Sequence, residues 1–309
     1  MSTLYLDRTD THLRLEGGAL VVGDGRTRRT IPVTLLERLV ITARTHLDSG
    51  LLNRLAEAGI TVVLIDPRRS RRRAQLIGAG HGDARVRLAQ YRTALDPAAA
   101  LPRAQTLVAA KLRRQRRWLK ETAHQRQDLT HTLETAARGL DAVLAQCRQV
   151  QNMGQLRGLE GRGGRVFFGA YRQLFPASLG FQGRRRRPPP DPVNAVLSLA
   201  YTLLHARAVQ IAWAAGLDPL LGFYHQPAWG RESLACDLIE PWRPCIDAWV
   251  YRWFRERWLE AGHFSRRGDA CLLGKAGRGR FFRAFESKIQ PVHRAMRRQA
   301  RTLIRELTS

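Results

Sequence analysis

The stretch GFYHQPAWGRESLACDLIEPW, from Gly222 to Trp242, puts His225 twelve residues ahead of Asp237, with Glu240 one helical turn further on. An imidazole and two carboxylates are donor types that hold a divalent cation. Three residues apart on a helix, Asp237 and Glu240 project from one face. Pro241 biases the residue before it away from the α region, so Glu240 is expected on a distorted last turn. Spacing alone leaves a second reading open. A carboxylate in a chain this basic more commonly pairs with an arginine, and a histidine following the apolar LLGFY is more commonly a satisfied, half-buried side chain.

Another acid, Glu160, stands in GLEGRGGRVFF, where glycines and arginines would let a phosphate approach. There it would repel a nucleic-acid backbone unless a divalent cation lay between them; pairing with a nearby arginine is the alternative. GRGGR lacks the G-K-[ST] ending of a phosphate loop, and GKAGRGR (Gly274 to Arg280) has Ala276 where a hydroxyl would meet magnesium. A nucleoside triphosphatase is not supported, and no Ser/His/Asp arrangement is visible.

The polymer partner follows from charge. The 309 residues hold 52 basic against 26 acidic side chains, a formal net charge of +26. Such an excess concentrates polyanions and serves no purpose for a small neutral substrate, so nucleic acid is the expected partner. All the basic residues but Lys111, Lys120, Lys275 and Lys288 are arginine. Its planar fork suits phosphate, although a codon bias would give the same excess. Arg165, Arg184, Arg185, Arg186, Arg187, Lys275, Arg278, Arg280 and Arg283 are the candidate DNA-backbone contacts, with Arg294, Arg297, Arg298 and Arg301 beyond them. The run RRSRRR (Arg68 to Arg73) could face DNA or a partner protein. Cys147, Cys236, Cys245 and Cys271 have no paired spacing, which argues against a zinc ribbon or a disulfide framework. The N-terminus carries an early acid and no apolar h-region, so a cytoplasmic protein is expected. Asn194 to Leu217 is apolar but broken by His205, Arg207 and Gln210, and reads as a buried helix rather than a membrane span.

The elements that must position these groups divide near residue 80. Up to there the pattern is short and alternating: TLYLD, HLRLE, ALVVG, RTIPV, LERLVIT, TVVLID and AQLIG read as strands. Turns are expected at Gly17-Gly18 and at Gly23 to Gly25, and SGLLNRLAEAG reads as a short helix capped by Ser49 and stopped at Gly59. Beyond GAGHGDAR, apolar residues recur at three- and four-residue spacing. RRRRPPPDP (Arg184 to Pro192) must be an extended basic loop, because three prolines in a row remove backbone donors. Ser233 is expected to cap the helix carrying Asp237. Trp242, Trp249, Trp253 and Trp258 read as helix packing, with base-stacking platforms as the alternative. The expected class is α+β: a β-rich N-terminal domain, 1–82, for dimerisation or partner contact, and a larger all-α catalytic and DNA-binding domain, 83–309.

Four segments together, LEGRGGRVFF, RRRRPPPDPVNAVLSLAYTLL, GLDPLLGFYH and SLACDLIEPWRP, resemble the CRISPR-associated DNA integrase, the adaptation protein that inserts new spacers into a CRISPR array. The likeness covers nearly the whole chain. It implies a metal-dependent integrase and endonuclease, with Glu160, His225 and Glu240 as metal ligands and Asp237 supporting the site. Gly163 and Gly164 depart from the family, which more often has alanines there. Two carboxylates and an imidazole suit Mn²⁺ or Mg²⁺. Implied partners are double-stranded DNA, a second copy of the chain in a homodimer, and a small second adaptation protein bridging two dimers. A general metal-dependent nuclease acting on branched DNA and a non-catalytic basic DNA-binding scaffold are the competing expectations.

Overall fold

The computed structural model describes residues 2–24, 27–66, 71–80, 83–185 and 188–309. Gly25 of the second expected turn, Arg68 and Arg69, Gly82 at the expected boundary, and Arg186 and Arg187 lie outside the described residues.

The alternating segments form two four-stranded sheets. In one, β1 (Ser2–Leu6), β5 (Leu36–Ile41), β7 (Thr61–Asp66) and β8 (Arg71–Leu76) lie in the order β1-β5-β7-β8, parallel except for the antiparallel β7-β8 pair. In the other, β4 (Arg28–Pro32), β3 (Ala19–Gly23), β2 (Thr11–Glu16) and β6 (Thr45–His46) follow the order β4-β3-β2-β6. Helix α1 (Ser49–Glu57) lies between β6 and β7, and its cap is Asp48, whose carboxylate accepts from Leu51 N at 2.6 Å, not the expected Ser49. Either residue type caps well, and the register is set by which side chain reaches the free N–H groups.

Successive strand side chains point to opposite faces, and the first sheet uses both. Leu39 and Val62 join Leu13, Leu20 and Leu55 in a small core with the second sheet and α1. Their neighbours Val40, Val63 and Ile65 belong to the large core of the helices. Tyr5 of β1 stacks on Phe282 at 4.0 Å and its hydroxyl donates to Glu286 at 2.5 Å. Glu37 accepts from Arg297 at 2.5 Å and pairs with the fully buried Arg207. The strands are therefore joined to the helices through both apolar and ionic contacts.

Seven α-helices follow among the described residues: α2 (Ala84–Leu95), α3 (Pro97–Ala123), α4 (Thr130–Cys147), α5 (Met153–Tyr171), α6 (Pro192–Ala214), α7 (Ser233–Ile239) and α8 (Arg243–Arg255). The all-α expectation misses one hairpin, β9 (Phe264–Arg267) with β10 (Ala270–Leu273), which leads into the long α9 (Lys275–Thr308). Its segments are four residues each, too short for their period to stand out. Helix α6 is long and apolar enough to cross a membrane, but most of it is buried in the core. Trp253 is buried, and Trp242 and Trp249 pack against the core as expected; Trp258 is more exposed and donates to Arg280 O.

The PPPDPVN signature proves to be a clasp. Asp191 caps α6 by accepting from Asn194 N at 2.8 Å, and Pro192 occupies the first helical position, where its missing N–H costs nothing. The buried Asn194 amide donates to Gly183 O and Asp191 Oδ2, while its oxygen accepts from Arg185 N and Arg184. The proline loop is thus bound to the start of the helix it precedes.

Candidate active site

Asp237 lies on α7 and is almost fully buried. Its Oδ2 accepts from Phe223 N at 2.6 Å and Tyr224 N at 2.9 Å, and its Oδ1 accepts from His225 N at 3.0 Å. Oδ1 also lies 2.6 Å from His225 Nδ1. One carboxylate therefore folds the GFYH segment and orients its imidazole. A side chain at Gly222 would put its Cβ 2.6 Å from Asp237 Oδ2 and within 2.9 Å of Ser233 backbone, so the approach of the two segments requires glycine. Ser233 does not cap α7; its hydroxyl donates to Gln226 O instead, and Glu232 precedes the helix without a side-chain cap. The hydroxyl is used to close the loop between His225 and the helix rather than to start the helix.

Glu240 sits where Pro241 predicts, on a single 3₁₀ turn, Glu240–Trp242, that links α7 to α8. It is 5% exposed. Oε1 is 2.7 Å from Arg243 Nε and 4.0 Å from His225 Nε2, and Oε2 is 2.8 Å from Lys111 Nζ. Burial pushes the Glu240 carboxyl up, but Arg243 and Lys111 outweigh it and hold it well below the usual carboxylate range.

Glu160, on the middle of α5, reaches the same point, its Oε1 paired with Lys111 Nζ. Helix α5 runs unbroken through Gly163 and Gly164. A Cβ at Gly163 would lie 2.6 Å from Leu112 Cδ2, so α3 and α5 pack at a distance only glycine permits, and this close packing brings Lys111 of α3 beside Glu160. Nothing lies within 4 Å of the Cβ position at Gly164.

The four residues implied by the family likeness thus converge, from α5, an irregular segment and the α7 to α8 junction. Lys111 and Arg243 were missed. Both left a trace in the sequence: Lys111 is one of four lysines in an arginine-rich chain and falls on the buried stripe of α3 with Val108, Leu112 and Gln115, and Arg243 continues the Asp237, Glu240 face at three-residue spacing. Behind them the buried Tyr201 donates to Asp247 Oδ1, and Arg243 stacks over the Tyr201 ring at 4.7 Å. Burial pushes the Asp247 carboxyl up to about 7, although the Tyr201 bond and the Lys111 and Arg243 charges pull the other way.

The donor set suits a hard or borderline divalent ion. Glu240 Oε2 is buried without an aligned hydrogen-bond donor, and with Nδ1 held by Asp237 the imidazole presents Nε2 as its free donor. As the side chains stand, no three His, Cys, Asp or Glu groups among the described residues enclose a single metal position, and Lys111 Nζ lies between the two glutamates.

The candidate DNA contacts divide. Arg165, Arg185, Lys275 and Arg283 are exposed. Arg184 is turned inward onto Asn194, Ser198 and the Tyr201 ring. Arg278 donates to Leu273 O, and Arg280 lies over the Trp258 ring. Along α9, Arg294, Arg298 and Arg301 share an exposed face, while Arg297 pairs with Glu37.

A two-sheet N-terminal part leading into a helical part that gathers two glutamates, a histidine and an aspartate defines an α+β protein with a carboxylate- and imidazole-lined centre. A family model described as CRISPR associated protein Cas1 matches residues 4–287. CRISPR-associated endonuclease Cas1 1 of Thermodesulfovibrio yellowstonii is 34% identical over 294 residues, 94% of this chain and 92% of the relative. Among solved structures, a Cas1 protein from Thermotoga maritima matches with a TM-score of 0.88 at 18% identity, over 100% of this chain and 97% of that one. A casposase bound to integration product matches at 0.86 and 20% identity, over 99% of this chain and 91% of that one. The chain belongs to the Cas1 family.

Proposed function

We propose that the protein is a divalent-metal-dependent DNA integrase and endonuclease that joins short duplex DNA into a CRISPR repeat array. The observation that carries this reading is the convergence of Glu160, His225 and Glu240, with Asp237 fixing the imidazole. Membership of a family whose relative is called an endonuclease, and a fold shared with a casposase bound to an integration product, support it.

In the proposed reaction the 3′-oxygen of the donor attacks a phosphorus of the target strand, a P–O bond forms as the target's own 3′-oxygen leaves, and the proton lost by one hydroxyl is regained by the other. Mn²⁺ or Mg²⁺ held by Glu160, His225 and Glu240 would supply Lewis acidity for the charge that grows on the phosphoryl and leaving oxygens. Asp237 keeps His225 Nδ1 engaged, so that Nε2 remains the donor. Arg243 holds Glu240 Oε1 in place and adds positive charge beside the reacting phosphate. Water in place of the hydroxyl gives the nuclease reaction at the same site. No protein nucleophile is required.

Arg165, Arg185, Lys275 and Arg283, with the exposed α9 arginines, would track the DNA backbone without reading its sequence. The protein would act in the cytoplasm as a homodimer, two dimers being bridged by the small second adaptation protein that the family likeness implies.

The test is a plasmid integration assay with a labelled duplex bearing free 3′-OH ends, in Mn²⁺, with the bridging protein and a repeat-bearing target. Wild type joins; Glu160→Ala does not, yet retains DNA affinity. Cleavage without any joined product would refute integration and leave the nuclease reading. Joining by Glu160→Ala at the wild-type rate would refute the site.

A further inference from the structure

Lys111 has no place in the chemistry above, yet it occupies the centre of the site. It falls on the buried stripe of α3 that includes Val108, Leu112 and Gln115, and its side chain is 12% exposed. Nζ pairs with Glu160 Oε1 and lies 2.8 Å from Glu240 Oε2. These are the carboxylates assigned to the metal, one from each side of the site. An ammonium that touches both fills the space and the electrostatic role of a first cation. Arg243 cannot substitute for it, because its contact is with the other Glu240 oxygen and none is made with Glu160.

The arrangement has two consequences. Without metal, two carboxylates brought together where α5 and the Glu240–Trp242 turn both pack on α3 would repel each other; Lys111 neutralises them and keeps them converged. With metal, a divalent ion shared by the same oxygens meets a positive charge already in contact with both, so Nζ has to withdraw before the ion is bound. The four-carbon stem allows that movement without any change in the backbone of α3.

We propose that Lys111 is the resident cation of the metal-free site: it preserves the spacing of Glu160 and Glu240 and competes with the divalent ion, which has to displace it. This rests on the assignment of Glu160, His225 and Glu240 as the metal ligands. Lys111 thereby raises the metal concentration at which the centre becomes loaded and protects the empty site from collapse or adventitious pairing.

The test uses the full chain and Mn²⁺ alone. Isothermal titration of metal-free wild type, Lys111→Met and Glu160→Gln gives the affinities, and thermal denaturation in chelator and in Mn²⁺ gives the stabilities. Removing the positive charge that the ion otherwise has to displace from both carboxylates is expected to tighten Mn²⁺ binding by roughly tenfold or more. Lys111→Met should melt below wild type in chelator and gain more from Mn²⁺ than wild type does. Affinity that is unchanged or weaker in Lys111→Met, while Glu160→Gln loses Mn²⁺ binding, overturns the role of Lys111 and leaves the metal assignment standing. Absence of Mn²⁺ binding by wild type overturns both. Should Lys111→Met fail to fold, acylation of wild-type lysines followed by peptide mass spectrometry answers the same question. Lys111 is expected to be labelled slowly in chelator and several-fold faster in saturating Mn²⁺; an unchanged labelling rate refutes displacement.

Discussion

Replacing Asp237 by asparagine keeps the volume of the side chain and removes its charge, which separates folding of the GFYH segment from orientation of its histidine. In the wild type one buried carboxylate accepts from three backbone N–H groups at 2.6, 2.9 and 3.0 Å and holds His225 Nδ1 at 2.6 Å. An asparagine has one acceptor oxygen. If that oxygen stays with Phe223 and Tyr224, the amide NH₂ faces His225 N, donor against donor, and offers a hydrogen to Nδ1. The imidazole then carries its own proton on Nε2, the atom proposed as the metal donor. Loss of charge assistance and one opposed donor cost on the order of 2–4 kcal/mol. In a chain of this size that lowers Tm by about 3–6 °C. Removing the carboxylate that orients a ligating histidine weakens metal binding by ~10–100-fold. Thermal denaturation in chelator and Mn²⁺ titration of Asp237→Asn read the two effects separately. A lower Tm with wild-type Mn²⁺ affinity would show that Asp237 only folds the segment; wild-type values of both would refute the reasoning altogether.

Adjacent glycines of α5 should respond oppositely: Gly163→Ala drives its Cβ to 2.6 Å from the fully buried Leu112 and should lower Tm, since overpacking of about 1–3 kcal/mol exceeds the ~1 kcal/mol gained in helix propensity. Gly164→Ala meets open space and should raise Tm by about 1–2 °C; a rise in both variants would refute the close α3 to α5 packing. Asp247 sets a pH dependence. Its carboxyl is raised from 3.8 to about 7 by burial, so between those values the folded chain binds the extra proton, and the stability it contributes falls as pH climbs from about 4 to about 7. Asp247→Asn should therefore gain Tm relative to wild type on going from pH 5 to pH 8, and a difference that does not change with pH would show that Asp247 is ionised throughout.

Much of the site was legible because its chemistry is rare in this chain. Acids are half as numerous as bases, so Glu160 among glycines and arginines and the Asp237, Glu240 pair stand out, and Pro241 alone predicts the distorted turn at Glu240. The caps were less legible. Ser49 and Ser233 are good cap residues by type, but Asp48 takes the first role and Gln226 O takes the Ser233 hydroxyl, because hydrogen bonds go to whichever partner the fold brings within reach. Arg184 shows the same limit: one of four successive arginines in a loop reads as a phosphate contact, whereas the fold turns it onto Asn194 and Tyr201.

Residue types and local spacing determined the β-to-α order of the chain and its polyanion-attracting charge, and marked the acids and histidine of the centre as candidates that the family likeness then grouped into one site. These properties depend on interactions between near neighbours and on composition, which a sequence displays directly. Only the tertiary structure decided that Glu160 and Glu240 face each other, that Lys111 lies between them, and that Asp237 spends its carboxylate on the backbone of Phe223 to His225. Those pairings join separate elements, and they are set by how closely α3, α5 and α7 pack, down to a single methyl group at Gly163 or Gly222.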